Sequence, residues 1–198
     1  MRTAQQVQFT QMKDGTYDDY QLLHGLEAEH VAQLPDRILA ALRRLDDSLA
    51  GYQVTRLEHS LQTAARAEAD GADIDWIVAA LVHDLGDELA PDNHSQYAAS
   101  ILRPYVRAEV TWTVHMHGVF QLQYYGHHIG ADPNAREPWR EHEWYDLCDR
   151  FCERWDQASF DPAYPTPSLE HFEPMVREVF TRRPFDPDIV QERSPDGR

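Results

Sequence analysis

The chain has 198 residues, 34 acidic against 18 basic, and a net charge of −16. That length carries one domain with a real core, at most with a small appendage, and 42% hydrophobic residues mark it as globular. Such acidity excludes nucleic acid and anionic membrane surfaces as partners, since both are gripped through clustered Lys and Arg.

No run approaches the roughly 18 apolar residues of a membrane span. The start, Met1-Arg2-Thr3-Ala4-Gln5, lacks the apolar core of a signal peptide, so a cytoplasmic protein is expected. Cys148 and Cys152 lie four apart on one helix face, outside any zinc-type spacing, and read as buried reduced thiols.

Apolar spacing predicts helices throughout. A first spans about Tyr17–Val31. Pro35 and Asp36 open a second through Ile38, Leu39, Leu42 and Leu45, broken by Gly51. A third runs from about Val54 to Ala69, ended by Gly71. Asp73 caps the next, with Ile74, Ile77, Val78, Leu81, Val82 and Leu85 inward and with Gly86 and Pro91 as terminators. Asn93 caps another, and Val106, Val110, Val114 and His117 continue one that begins after Pro104. Tyr124–Pro138 is expected to be irregular, from Gly126, Gly130, Pro133 and Pro138. Helix resumes from Trp144 to Trp155, and Ser168 caps the last, which buries Phe172, Met175, Val176, Val179 and Phe180. The fold expected is all-α and a single domain over 1–198, with its core at about 36–181 and a frayed tail from Arg182.

One helix interrupts its own apolar face with His83-Asp84. A charge buried there costs several kcal/mol unless it is paired or bound to metal. Adjacent side chains on a helix diverge by about 100°, so an ion at the edge of both, or two ions bridged by Asp84, would use them together. His59 sits mid-helix in Leu57-Glu58-His59-Ser60-Leu61, and His94 lies in the first turn of the helix after the doublet. His117 extends the Val110-Val114 stripe. His115 is rotated about 200° from His117; the stripe favours His117 and leaves His115 near the site mouth or behind it. Asp156 closes an apolar helix, where acid opposes the macrodipole unless a cation waits nearby. His24, His30, His142 and His171 stand in polar contexts and read as surface or capping residues.

The order His59, His83-Asp84, His94, His117, Asp156, with the words Leu57-Glu58-His59-Ser60-Leu61-Gln62, Ala80-Leu81-Val82-His83-Asp84-Leu85-Gly86 and Arg154-Trp155-Asp156, resembles the HD-domain superfamily. Over about 50–180 it is similar to the mixed-valent diiron oxygenases, which include myo-inositol oxygenase and organophosphonate-cleaving enzymes. Asn93-His94-Ser95-Gln96 and His117-Gly118-Val119-Phe120-Gln121 look most like the branch acting on 1-hydroxy-2-(trimethylammonio)ethylphosphonate. The resemblance implies an HD-type helical bundle and two irons (Fe2+/Fe3+), with O2 as co-substrate. His59, His83, Asp84 and Asp156 would hold one iron, and Asp84, His94 and His117 the other.

Two chemistries suit such a pair. A bridging hydroxide, its pKa lowered from about 15.7 toward 7, could attack a phosphoester; alternatively O2 oxidises a small hydroxylated substrate with C–P cleavage. A non-catalytic ligand-sensing HD scaffold is the third option. Many HD phosphohydrolases carry Lys three residues after the doublet Asp, and phosphonate-cleaving relatives carry His there and Lys four after His117. Here those positions hold Asp87 and Gln121, so both anion anchors are missing. Asp87 with Tyr52, Trp112, Phe120, Tyr124, Tyr125 and Trp155 suggests a quaternary-ammonium cage. The gating tyrosine of these relatives is absent here, rebuilt around Tyr52, or supplied by Tyr17 or Tyr20. The substrate-binding candidates are Tyr52, Asp87, His115, Gln121, Tyr124 and His128. The partner expected is a small-molecule substrate, and the protein a monomer or small homo-oligomer.

Overall fold

The computed structural model describes residues 6–190, and among them all regular structure is helical. The eight α-helices are α1 (Tyr17–Ala32), α2 (Leu34–Arg44), α3 (Arg56–Ala69), α4 (Ile74–Val82), α5 (His94–Leu102), α6 (Ala108–Ile129), α7 (Tyr145–Phe151) and α8 (Leu169–Phe180). The all-α expectation holds.

α4 is the axis of the bundle. Every residue from Ile77 to Val82 is buried, as expected of a helix apolar on all sides. Asp73 starts it, its side chain accepting from the backbone N–H of Asp75 and Trp76. α3, α6 and α8 pack against it, α5 and α7 pack on α6, and α2 closes over α8. Small residues on α3 (Ala64, Ala65, Ala67) and α4 (Ala79, Ala80) are fully or almost fully buried and let these two backbones approach closely. α3 begins at a capping box in which Thr55 and Glu58 exchange side-chain-to-backbone bonds. α1, though capped by Thr16 and Asp19, buries no residue.

Two segments depart from expectation. α6 continues to Ile129, through the start of the stretch expected to be irregular. Gly126 is absorbed into the helix because the returning chain passes over it. The helix stops only at Gly130, whose φ of 75° reverses the chain. Residues 182–190 are not frayed either. Arg182 Nη1 donates to buried Asp75 Oδ1 (2.6 Å) and to the Tyr105 carbonyl (3.0 Å), Phe185 N–H bonds the Pro104 carbonyl (2.7 Å), and Val190 is buried. Residues 191–198 lie outside the described region.

Asp75 also takes Arg107 Nη1 at 3.1 Å. Asp75→Ala would strand Arg182 and is expected to destabilise the fold by about 3–5 kcal/mol, the usual cost of removing one partner from a buried pair. The urea midpoint measures it; an unchanged midpoint would make this clasp ornamental.

Candidate metal centre

α4 hands the chain directly into the site. The helix stops at Val82, so His83 and Asp84 sit in the turn that follows rather than within the helix. Bonds of the i→i+3 kind tighten that turn, Leu85 N–H to the Val82 carbonyl and Asp87 N–H to the Asp84 carbonyl, both 3.0 Å. Gly86 permits it: a Cβ there would fall 2.7 Å from the His94 Cα and carbonyl oxygen. The carbonyl end of α4 therefore adjoins the site, where its dipole favours cations. Gly86→Ala is expected to push α5 and His94 outward, costing about 1–3 kcal/mol and weakening the binding of any metal held on the His94 side. Thermal melts and metal content check both effects.

Four imidazoles present Nε2 to one another and to two carboxylates. Each spends Nδ1 on a backbone carbonyl: His59 on Ser159 (2.9 Å), His83 on Ala80 (2.7 Å), His117 on Val114 (2.7 Å) and His94 on Pro91 (3.3 Å). With the proton donated at Nδ1, every Nε2 carries a lone pair, the tautomer a metal requires. His59 Nε2 and His83 Nε2 stand 3.2 Å apart. Asp84 Oδ2 lies 3.3 and 3.2 Å from these two nitrogens, and Asp156 Oδ1 3.3 and 3.5 Å. Donors around an ion at about 2.1 Å are separated by about 3.0–3.4 Å, so these five distances lie in or within 0.1 Å of the range of one coordination shell. The other oxygen of Asp84, Oδ1, lies 3.5 Å from His94 Nε2 and 3.4 Å from His117 Nε2. Asp84 thus faces two donor groups with its two oxygens.

The residues fit a cation. Two buried lone pairs that close repel unless something positive lies between them, and Asp156 Oδ2 is buried with no hydrogen-bond partner. The electrostatics agree. Burial opposes charge on Asp84, but His83 and Arg56 outweigh it and hold the carboxyl well below the usual range. Asp156 is likewise lowered against its burial by His83 and His59. Burial would depress the two histidines, yet Asp84 and Asp156 raise His59 and push His83 well above 6.5. The pocket draws positive charge to Nε2, as proton or as metal.

Asp156 reaches the site by a device that helical periodicity hides. Phe151 and Asp156 are both buried, yet a spacing of five on an α-helix turns a side chain about 140° away. After α7 the chain widens into a π-helical turn, Cys152–Asp156, closed by Gln157 N–H on the Cys152 carbonyl at 3.0 Å. That turn brings both onto the inner side. Cys148 and Cys152 are buried free thiols, as expected.

A cavity of about 350 Å³ opens over the cluster, lined in part by Tyr52, His94, Gln121, Tyr124, Tyr125 and Phe160. Of the substrate-binding candidates, Tyr52, Gln121 and Tyr124 line it. His115 is exposed on the far side of α6, and His128 is exposed against His127 (3.8 Å between rings), so neither faces the cavity. Asp87 is occupied by Arg56 and does not line the cavity wall. Phe120 belongs to the core, Trp112 lies flat on the half-buried His142 (4.0 Å), and Trp155 lines a separate pocket, so the proposed cage keeps only its tyrosines. Tyr17 is exposed and Tyr20 bonds the Met12 carbonyl, which removes both as gates. Tyr52 stacks on Phe160 (5.1 Å), which stacks on His59 (4.3 Å). Sequence reasoning missed Arg56 and Phe160; the Arg-x-x-His spacing into a buried helix face was the available signal for Arg56.

An all-helical bundle that gathers buried imidazoles and carboxylates at the end of its central helix defines a metal-dependent class of protein. The HD-domain family model matches residues 56–159, more than half of the chain, and the protein belongs to that family. It is a metal-dependent family that includes phosphohydrolases and oxygenases. None of the curated proteins matches the chain.

Proposed function

We propose that this protein is an O2-dependent diiron oxygenase that oxidises a small hydroxylated substrate, with C–P cleavage of a hydroxyphosphonate such as 1-hydroxy-2-(trimethylammonio)ethylphosphonate. The observation that carries this reading is Asp84, whose two oxygens serve two donor groups within 3.5 Å, as a carboxylate bridging two ions would. His59, His83, Asp84 and Asp156 would hold one iron, and Asp84, His94 and His117 the other. When bound, such a pair supplies the redox chemistry with O2 that no side chain here can supply. The chain's own part is to place and to shield. Carbonyl-anchored histidines fix the donors, Phe160 and the tyrosines give the wall its aromatic faces, and Gln121 lines that wall, where its amide could meet a substrate hydroxyl.

The test is to load the protein with Fe(II) anaerobically, admit O2 with the hydroxyphosphonate, and follow oxygen uptake and phosphate release together. Coupled uptake and release, with a spin-coupled EPR signal below g = 2 that shifts on substrate addition, is the expected outcome. The second reading, a metal-dependent phosphohydrolase of a small phosphoester, draws support from a guanidinium beside the metal ligands. Manganese-supported phosphate release without oxygen uptake would select it.

A further inference from the structure

Arg56 is the only buried arginine among the described residues, and it lines the cavity. Its Nε and Nη2 both donate to Asp87 Oδ2, at 2.7 and 2.6 Å, and Nη2 also bonds Asp84 Oδ2. Among the described residues no acceptor takes Nη1. A buried guanidinium is costly unless paired, and here the pairing is lopsided. Asp87 holds one edge from behind, its Oδ1 3.6 Å from His94 Nδ1, while the remaining donors are left for the cavity. The carboxylates that line the cavity, Asp84 and Asp156, belong to the metal shell of the proposed site. The rest of the cavity wall is neutral or imidazole. Arg56 is therefore the cavity's positively charged side chain, and it touches the oxygen of Asp84 that faces His59 and His83.

We infer that Arg56 is the anion-recognition residue of this site and Asp87 its positioning residue, so that the substrate carries a phosphorus oxyanion docked on the free guanidinium edge. This rests on the site being a metal centre. It supplies the anchor that Asp87 and Gln121 leave missing, and it withdraws Asp87 from the role of binding a cationic group. A fixed arginine fork suits a phosphonate or phosphate oxygen pair.

The experiment titrates Mn2+-loaded protein calorimetrically with methylphosphonate, with inorganic phosphate and with choline, recording the metal content of every variant. Arg56→Gln is expected to weaken methylphosphonate by about tenfold or more, the usual worth of a hydrogen bond to a charged group, with choline binding and metal content unchanged. Arg56→Lys retains part of the affinity, and Asp87→Asn loses a smaller factor for methylphosphonate alone. Stronger binding of phosphate than of methylphosphonate would point to a phosphoester substrate, and the reverse to a phosphonate. The inference is overturned if the parent binds neither anion or if Arg56→Gln with full metal binds them as tightly as the parent. It is also overturned if both Arg56 variants lose their metal, which would make Arg56 a prop of the ligand shell. Absent oxygen uptake with Arg56-dependent anion binding intact would fail the oxygenase reading and leave this one standing.

Discussion

With two ions bound as proposed, Asp84→Ala is expected to reduce bound metal from about two per chain to nearly none, whereas His94→Ala is expected to leave about one. Among the described residues Asp84 alone faces both donor groups, so its loss removes a ligand from each. The groups are not equal. The first has two imidazoles and two carboxylate oxygens, with His59 and His83 almost fully buried and firmly bonded to carbonyls. The second has two imidazoles and one oxygen, and its His94 is 27% exposed with the longest carbonyl bond of the four. Partners behind a ligand are worth about 10–100-fold in metal affinity, so loading should be stepwise, with the His94 side filling last. Elemental analysis and a two-step binding isotherm measure this. Two ions retained in Asp84→Ala would remove the bridging role.

The second large effect is a pH dependence that metal abolishes. His59 and His83 have folded-state pKa values above 6.5 because Asp84 and Asp156 outweigh their burial. In chelated protein their contribution to stability is complete below about 6.5 and is lost as pH rises through the raised values. Metal binds the neutral imidazoles, and each proton it displaces makes its affinity rise about tenfold per pH unit, or about 1.4 kcal/mol. In saturating Mn2+ that gain offsets the loss, since the metal-bound native chain and, above about pH 7, the unfolded chain both carry these imidazoles neutral. Between about pH 7 and 9, melting temperature should therefore fall with pH in EDTA and stay nearly level in excess Mn2+. Asp84 and Asp156, held low, stay ionised across this window and do not alter the sign. Parallel curves in the two media would show that these histidines do not exchange protons for metal.

Much of the fold is written locally. Asp73 caps α4 because its side chain answers the N–H groups two and three residues on. The stripe through Val110 and Val114 carries His117 inward and His115 outward on α6. His59, His83, Asp84 and His117 stood out because a polar group on an apolar helix face needs a partner. His94 stood out by its place in a first helical turn, and Asp156 because an acid at a helix end opposes the macrodipole. Periodicity failed where the helix itself changed. The π-helical turn before Asp156 and the run of α6 past Gly126 both depend on what packs over those residues.

The amino-acid order alone determined an all-helical chain, the inward faces of its helices, and a set of imidazoles and acids aimed at a shared interior. These follow from spacing and burial cost within single segments. Only the assembled bundle decided which of them meet. Arg56 and Asp87, 31 positions apart, form one unit; His128 faces water; Arg182 clasps Asp75. Each of those outcomes rests on a contact between separate helices, and a pattern within one helix says which side turns inward without saying what it will touch there.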